Sequence, residues 1–499
     1  MSRHFLRASL LVASLSFAAL PAARAQNAAP TAPLSLEECI ARAVKKNFDL
    51  EIQGYSTEVA KEALNVAKAS FDPIIIATGN RSLSQSASTT STLDGTTAIG
   101  PRADNTSGSI GVNQLLPQTN GILGLSTGVN RTATNSRFST LNPAYGNGIT
   151  ATISQPLLKN AGSTVARANV ERNKLGLSIA QLTYQSSVLT VVLNTETAYN
   201  NLVSARETLR IRQLSLDLAQ RLFEENQTRR TTGVMTDLDV LTSEVGVNNA
   251  RLAVIQAEQG VRNAEDSLLT LINTDDYNQR PGTVAFEDYK GAEPLFDASY
   301  KLARDNSPDY LAQAQAIKQS EIDLSTAKSA KLPALNLTGS LGYNATDNSY
   351  HNAIGDLPSD HGNIWSLEVI YTMPWGLKAD NARYRSTLAT LGSQKARLAQ
   401  LDQSLVVQVR TAVRSVQTNL SSVEIAAKAT ELSEKQYEAQ KARFDAGLST
   451  SRLVLQAQDD LETARFNELS AKVSLRNALA QLHKLETSSL QRFNIQLNQ

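Results

Sequence analysis

The sequence predicts a mixed α and β fold: long antiparallel helices of coiled-coil character joined to strands of a transmembrane β-barrel that one chain cannot close, with an internal duplication. Three observations carry this expectation. Residues 162–230 contain no proline and place apolar side chains at helical spacing. Short segments with strict apolar and polar alternation follow short helices. The same order of events then returns later in the chain, at an offset of 260 for the opening helix and strand and of 214 to 218 for the later segments.

In the long segment, Leu175, Ile179, Leu182, Leu189 and Leu193 form one seam, and Ala198, Leu202, Ala205, Leu209, Leu216, Ala219 and Phe223 the next. At 1.5 Å per residue the helix would run about 100 Å, far beyond a globular helix, so its stripe needs partner helices. The small residues make the seam narrow. Arg206, Glu207, Arg210 and Gln213 are expected on a solvated girth.

Residues 1–25 read as a secretory signal: Arg3 and Arg7 precede the apolar run 8–20, and Ala23-Arg24-Ala25 is a small-x-small cleavage site. Cleavage would leave Gln26 first, with no cysteine at the cut to take a lipid anchor. The one cysteine, Cys39, lies in an N-capped amphipathic helix, 35–46, and is expected to pack rather than react. Beyond the signal no uninterrupted apolar run reaches about 18 residues, so a bilayer could be crossed only by strands closed into a barrel. The 48 basic and 47 acidic side chains leave a net charge of +1, without the footprint of a nucleic-acid partner.

In chain order, 49–70 is helical and stops at Pro73, and 74–83 is extended. The Ser/Thr/Asn-rich stretch 84–105 reads as an exposed loop. Segments 110–116 and 123–130 suggest an extra hairpin before 149–154, so this half supplies two or four strands. In the second half, 309–330 is helical, stops at Pro333 and continues into a strand. There Leu335, Leu337, Leu341 and Tyr343 alternate with Asn336, Thr338, Ser340 and Asn344. Farther on, Trp365, Leu367, Val369, Tyr371 and Met373 alternate with Ser366, Glu368, Ile370 and Thr372. The first set of each pair is assigned to lipid. A sandwich strand with one wet face reads alike, but a few strands flanked by solvated helices leave no second sheet to cover the apolar face.

The duplication aligns Asp49 with Asp309, Pro73 with Pro333, Gly233 with Gly447 and Arg262-Asn263-Ala264 with Arg476-Asn477-Ala478. It divides the chain after the signal into a first repeat at 26–272, a linker at 273–295 with Pro281-Gly282 and Pro294, a second repeat at 296–486 and a tail at 487–499. Four to six strands fall short of the eight that close a barrel, so several copies must share one. Three copies around an axis give about 12 to 18 strands.

Taken together, the segment 36–49, the strand end Gln155-Pro156-Leu157-Leu158, the turn sequences 229–241 and 443–455 and the duplication make the chain similar to the TolC-type outer-membrane efflux proteins. The resemblance covers essentially the whole of the chain after the signal. It implies a homotrimer with a β-barrel pore in the bacterial outer membrane and a tapered α-helical tunnel extending into the periplasm. It also implies a passive conduit of a tripartite efflux or type I secretion system, working with a periplasmic adaptor (membrane fusion protein) and driven by an inner-membrane pump. The hairpin tips that would close the tunnel and meet the adaptor contain Gly233, Thr236, Asp239, Gly447, Ser449 and Arg452. Glycine allows the tight reversal, and Thr236 and Ser449 or Thr450 are placed to cap the returning helices. Asp239 matches an acidic residue of the family's closing latch, but its tyrosine and arginine partners fall on Phe444 and Ser449. The family's entrance aspartates fall on Leu453 and Gln456. Arg452 is therefore expected to supply the cation opposite Asp239.

No enzyme constellation is present and no cofactor is expected. The histidines are His4, His351, His361 and His483, without a metalloprotease, nucleophile-elbow or phosphate-loop motif. His351, Asp356, Asp360 and His361 share one segment, read as a solvated loop rather than a metal site, and Asp275-Asp276 reads the same way. The competing function is a periplasmic coiled-coil scaffold or adaptor without a pore, which predicts a protein soluble in water.

Overall fold

The computed structural model describes residues 35–85, 102–136, 139–273, 281–282, 284, 286, 293–356 and 362–496. The expected signal, Asp275-Asp276, Asp360 and His361 lie outside the described residues.

Two short helices open the first half. Helix α1 (Leu36–Lys46) is capped by Ser35, whose Oγ accepts from the Glu38 amide at 3.2 Å, and α2 (Phe48–Ala69) by Asn47, whose Oδ1 accepts from the Asp49 amide at 2.9 Å. Proline 73 ends this pair and four strands follow: β1 (Ile74–Gln85), β2 (Arg102–Leu115), β3 (Ile122–Thr134) and β4 (Ala144–Pro156). The chain then enters α3 (Ser163–Thr231, 69 residues) and returns through α4 (Asp237–Ile272). The second half repeats this order as α5 (Phe296–Asn306), α6 (Pro308–Ala330), β5 (Ala334–Asp347), the short α7 (Tyr350–Gly355), β6 (Asn363–Thr372), α8 (Lys378–Asp445, 68 residues), α9 (Ser451–Glu486) and α10 (Ser489–Arg492). Helices α1 and α5 are both 11 residues long, and α4 and α9 both 36.

The strands form one antiparallel sheet in sequence order, β1 to β6. The first half therefore gives four strands and the second two. The expected loop at 84–105 is partly strand, since β1 runs to Gln85 and β2 begins at Arg102. The inserted hairpin is likewise longer at both strands than the apolar segments alone indicated.

Packing is concentrated in three places along the helices. Cys39, Ile40, Ala43, Val188, Val192, Leu202 and Leu268 join α1, α3 and α4 in one core. Ala303, Val409, Val413, Val416, Leu475 and Leu479 join α5, α8 and α9 in a second. Leu222, Phe444 and Val454 form a third where the two hairpins turn. Burial pushes the Cys39 thiol up to about 12, so it is held protonated and packs.

Helix α3 packs on α1, α2, α4, α6 and α9. Its narrow seam widens in the middle, where Val188, Leu189, Val191, Val192, Thr195, Ala198, Tyr199, Leu202 and Val203 are all buried because neighbours enclose several sides. One 18-residue window of α3 reaches a mean hydropathy of 1.2, long and apolar enough to cross a membrane by composition. Arg206 is not on a solvated girth either. It pairs with Glu265 at 2.8 Å and donates to the carbonyls of Pro281 and Gly282, tying the linker to α3. Arg212 reaches Glu462 and lies over the Phe466 ring at 4.4 Å, which joins α3 to α9.

Candidate functional site

Directly opposed residues of a pleated sheet share a face, so the register sorts every strand side chain. One row crosses all six strands as Ile75, Val112, Leu125, Ala151, Leu341 and Trp365. Neighbouring rows on that face set Leu335 opposite Tyr371, Leu337 opposite Val369 and Gly339 opposite Leu367, with Tyr343 two residues beyond Leu341. The strand residues assigned to lipid from sequence thus share one face of the sheet, and Met373 continues the alternation just past β6. Trp365 is 74% exposed and Leu341 59%, while Leu335 and Leu337 are half-buried.

The other face is mostly small and polar, with Ile74, Ile76, Ile364 and Ile370 on its two edge strands. One row there reads Ile74, Asn113, Gly124, Thr152, Ser340 and Ser366. Hydroxyls pair across strands there, Thr78 with Ser109 and Ser340 with Ser366, each at 2.7 Å. Sequence reasoning missed Trp375, which follows β6 at the helix-proximal rim and is fully exposed.

At the opposite end of the helices each hairpin reverses at a glycine. Gly233 has φ 77° and Gly447 φ 71°. In the first tip the Gly233 amide donates to the Arg230 carbonyl and the Val234 amide to that of Arg229. The second tip repeats this with Gly447 to Phe444 and Leu448 to Arg443. Both are the paired bonds that close a helix when one residue turns left-handed, which a side chain would strain.

The returning helices differ. Thr236 and Asp239 form a reciprocal capping box: the Asp239 amide donates to Thr236 Oγ1 at 3.3 Å and the Thr236 amide to Asp239 Oδ2 at 3.2 Å. The Thr236 hydroxyl adds a 2.6 Å bond, and these bonds hold the Asp239 carboxyl below the usual carboxylate range. In the second tip Thr450 is the cap residue but makes no side-chain cap bond, and Ser449 instead accepts from Gln440 Nε2 at 2.5 Å. Neither Ser449 nor Thr450 therefore acts as the expected cap.

Within the protomer the cation for Asp239 is not Arg452, which makes no ion pair among the described residues. Asp239 faces Ser451, one residue earlier, whose hydroxyl is 3.5 Å away. The arginine that joins the tips is Arg229. It bonds the Phe444 carbonyl at 3.1 Å, lies 4.5 Å over the Phe444 ring, and pairs with Glu225 at 2.5 Å and Asp445 at 3.5 Å. Lys441 closes the network onto Glu225 at 3.5 Å. Phe444, the residue on which the resemblance places the family's latch tyrosine, is fully buried and packs the tip.

These parts define an elongated protein in which two hairpins of very long helices carry a sheet with one apolar and one polar face. The chain belongs to the outer membrane efflux protein family, which matches residues 113–274 and 299–486. It is 22% identical over 325 residues to Outer membrane protein TolC of Escherichia coli (strain K12), a match spanning 62% of this chain and 66% of that protein. Among solved structures it is similar to the Campylobacter jejuni CmeC outer membrane channel, with a TM-score of 0.66, 16% identity and coverage of 93% of this chain and 90% of that one. The open state of the Neisseria gonorrhoeae MtrE outer membrane channel gives a TM-score of 0.62 at 18% identity, covering 90% and 88%. The resemblance read from the sequence is thereby shown over residues 113–274 and 299–486, and the likeness of fold extends to 93% of the chain.

Proposed function

We propose that the chain is the outer-membrane channel of a tripartite efflux or type I secretion system. Three copies share one β-barrel, their long helices form a tunnel through the periplasm, and an inner-membrane pump acting through a periplasmic adaptor supplies the energy. The single observation that carries this reading is a sheet of six strands, too few to close, with unpaired edges at β1 and β6 and an apolar face.

The contacts between the two halves support one way of closing the ring. Strand β5 pairs with β4 of the other half, and the helix before it, α6, packs on α3 of the other half. Gln319 of α6 donates to the Arg172 carbonyl of α3 at 2.8 Å. The counterpart face of α2, 260 residues earlier, is the exposed stripe Phe48, Ile52, Tyr55, Val59 and Val66, each at least 61% exposed. By the same rule α2 packs on α8, and β1 pairs with β6, of the next copy. That head-to-tail contact generates a ring, and the duplication makes its junctions alike.

The apolar face then meets lipid, with Trp375 in the aromatic girdle, and the Ser/Thr/Asn face lines the pore. The tips expose Val234, Leu238, Leu241 and Leu448, beside Gly233, Thr236, Asp239, Gly447, Ser449 and Arg452, which suits docking of an adaptor. Protein extracted in detergent from the outer-membrane fraction should give discrete conductance steps in a planar bilayer. A protein recovered in water without detergent, giving no steps, would favour the scaffold reading instead.

A further inference from the structure

Among the described residues the six strands carry three basic side chains, Arg81, Arg102 and Arg131, and the register puts all three on the apolar face. They lie on adjacent strands. Arg81 and Arg131 flank Thr106 in one row, roughly 10 Å apart at the usual strand spacing. Arg102 is farther along β2 on the same side, with Asp104 between it and that row. Asp104 pairs with Arg81 at 3.2 and 3.4 Å, yet Arg81 keeps 74% of its side chain exposed. Arg131 rests 6.0 Å from the Tyr145 ring, and Asp347 lies two strands beyond it in the same row. Among the described residues one close carboxylate thus faces three guanidinium groups.

The cluster sits at the end of the sheet remote from the helices. From Ile122, at the helix-proximal end of β3, to Arg131 is about 30 Å of strand, which the tilt of a barrel strand reduces to roughly the 25 Å height of the lipid-facing band. The guanidinium groups therefore project at the upper rim of that band, where basic side chains cost little and their stems lie along apolar surface. A guanidinium fork matches a phosphate in two parallel bonds, and three of them on neighbouring strands match more than one phosphate.

We infer that this arginine cluster binds a multiply phosphorylated lipid headgroup of the outer leaflet. The inference rests on reading the sheet as a barrel wall in the outer membrane. The test uses the full chain, purified in detergent and stripped of lipid, with native mass spectrometry to count bound ligand. Bisphosphorylated lipid A, its dephosphorylated form and inorganic pyrophosphate are the probes. Lipid A is expected to bind the wild type and to lose about tenfold or more in R81Q/R102Q/R131Q. The dephosphorylated form should bind both weakly, and pyrophosphate should not compete at equal concentration. D104N, which frees Arg81, should bind lipid A more tightly than the wild type, a change in the opposite sense, and weaker binding by D104N overturns the inference. Equal lipid A binding by the triple variant overturns the inference, as does equal binding of the dephosphorylated lipid. Effective competition by pyrophosphate assigns the site to free phosphate and overturns the lipid. A triple variant that still conducts while keeping full lipid binding overturns only the cluster, whereas a wild type that never enters a bilayer overturns the channel reading beneath it.

Discussion

Helix α6 lies between two long helices, bonded to α3 through Gln319 and to α8 through Gln313, which donates to Gln394 at 2.8 Å. Its counterpart α2 packs on α3, with no comparable packing on α8, and presents an apolar stripe to the open side. Small and polar residues serve α6, with Ala312, Gln315 and Gln319 where α2 has Ile52, Tyr55 and Val59. The difference is one of covering: α6 is packed on two sides within the chain and α2 on one, and on the proposed reading the open side of α2 is where a second copy docks.

The harshest way to break this comparison is to charge the open stripe. I52D/V59D should abolish assembly, because two carboxylates would be buried without partners, while far-UV circular dichroism of the monomer stays helical. A variant that still assembles would move the interface elsewhere.

Ala43 and Ala303 occupy matching positions in α1 and α5 and are both fully buried. A43L and A303L should each destabilise by about 1–3 kcal/mol through overpacking, read from chemical unfolding. A large effect at one site and none at the other would end the equivalence of the halves.

A third contrast is titratable. His483 in α9 stands where α4 has the buried Leu269, and its pKa is pushed down to about 4, first by burial and then by the Arg492 charge. The Arg492 guanidinium lies 3.1 Å from Nδ1, which accepts from it when the ring is neutral. A folded-state value below the ordinary histidine value means the unfolded chain takes up the proton first. Stability is therefore complete above about pH 6.5 and is lost as pH falls toward about 4. H483L, which installs the first half's residue, should flatten that limb of the melting-temperature profile relative to the wild type.

The smallest effect separates the two tips. T236A should cost about 1 kcal/mol, seen as faster amide exchange in the first turn of α4, because it removes a working cap. T450A should leave the first turn of α9 within a few tenths, since Thr450 makes no cap bond.

Much of this was legible in the sequence. The reading placed the long helix at 162–230, and α3 runs from 163 to 231, because a proline-free run with a heptad-like seam has little else to become. The alternating faces of β5 and β6 were equally plain. Strand ends in the first half were not, because the polar face of the sheet is rich in Ser, Thr, Asn and Gly, and Ser84, Asn105 and Ser107 look like loop until paired with Ala103, Ser82 and Asn80. The tip network escaped for another reason. Arg229 and Phe444 are far apart in sequence, and nothing local marks a guanidinium that will stack on a ring of the other hairpin. Arg206 misled in the same way, since its partners in the linker come from a later turn of the chain.

The most direct test of the shared barrel is the mass of the detergent-extracted protein by light scattering, corrected for bound detergent, with the chain after cleavage of residues 1–25, below the 53.8 kDa of all 499 residues, as the reference. A particle of three chains is the expected result. A monomer or dimer, above all one that needs no detergent, would contradict closure of the sheet by neighbouring copies.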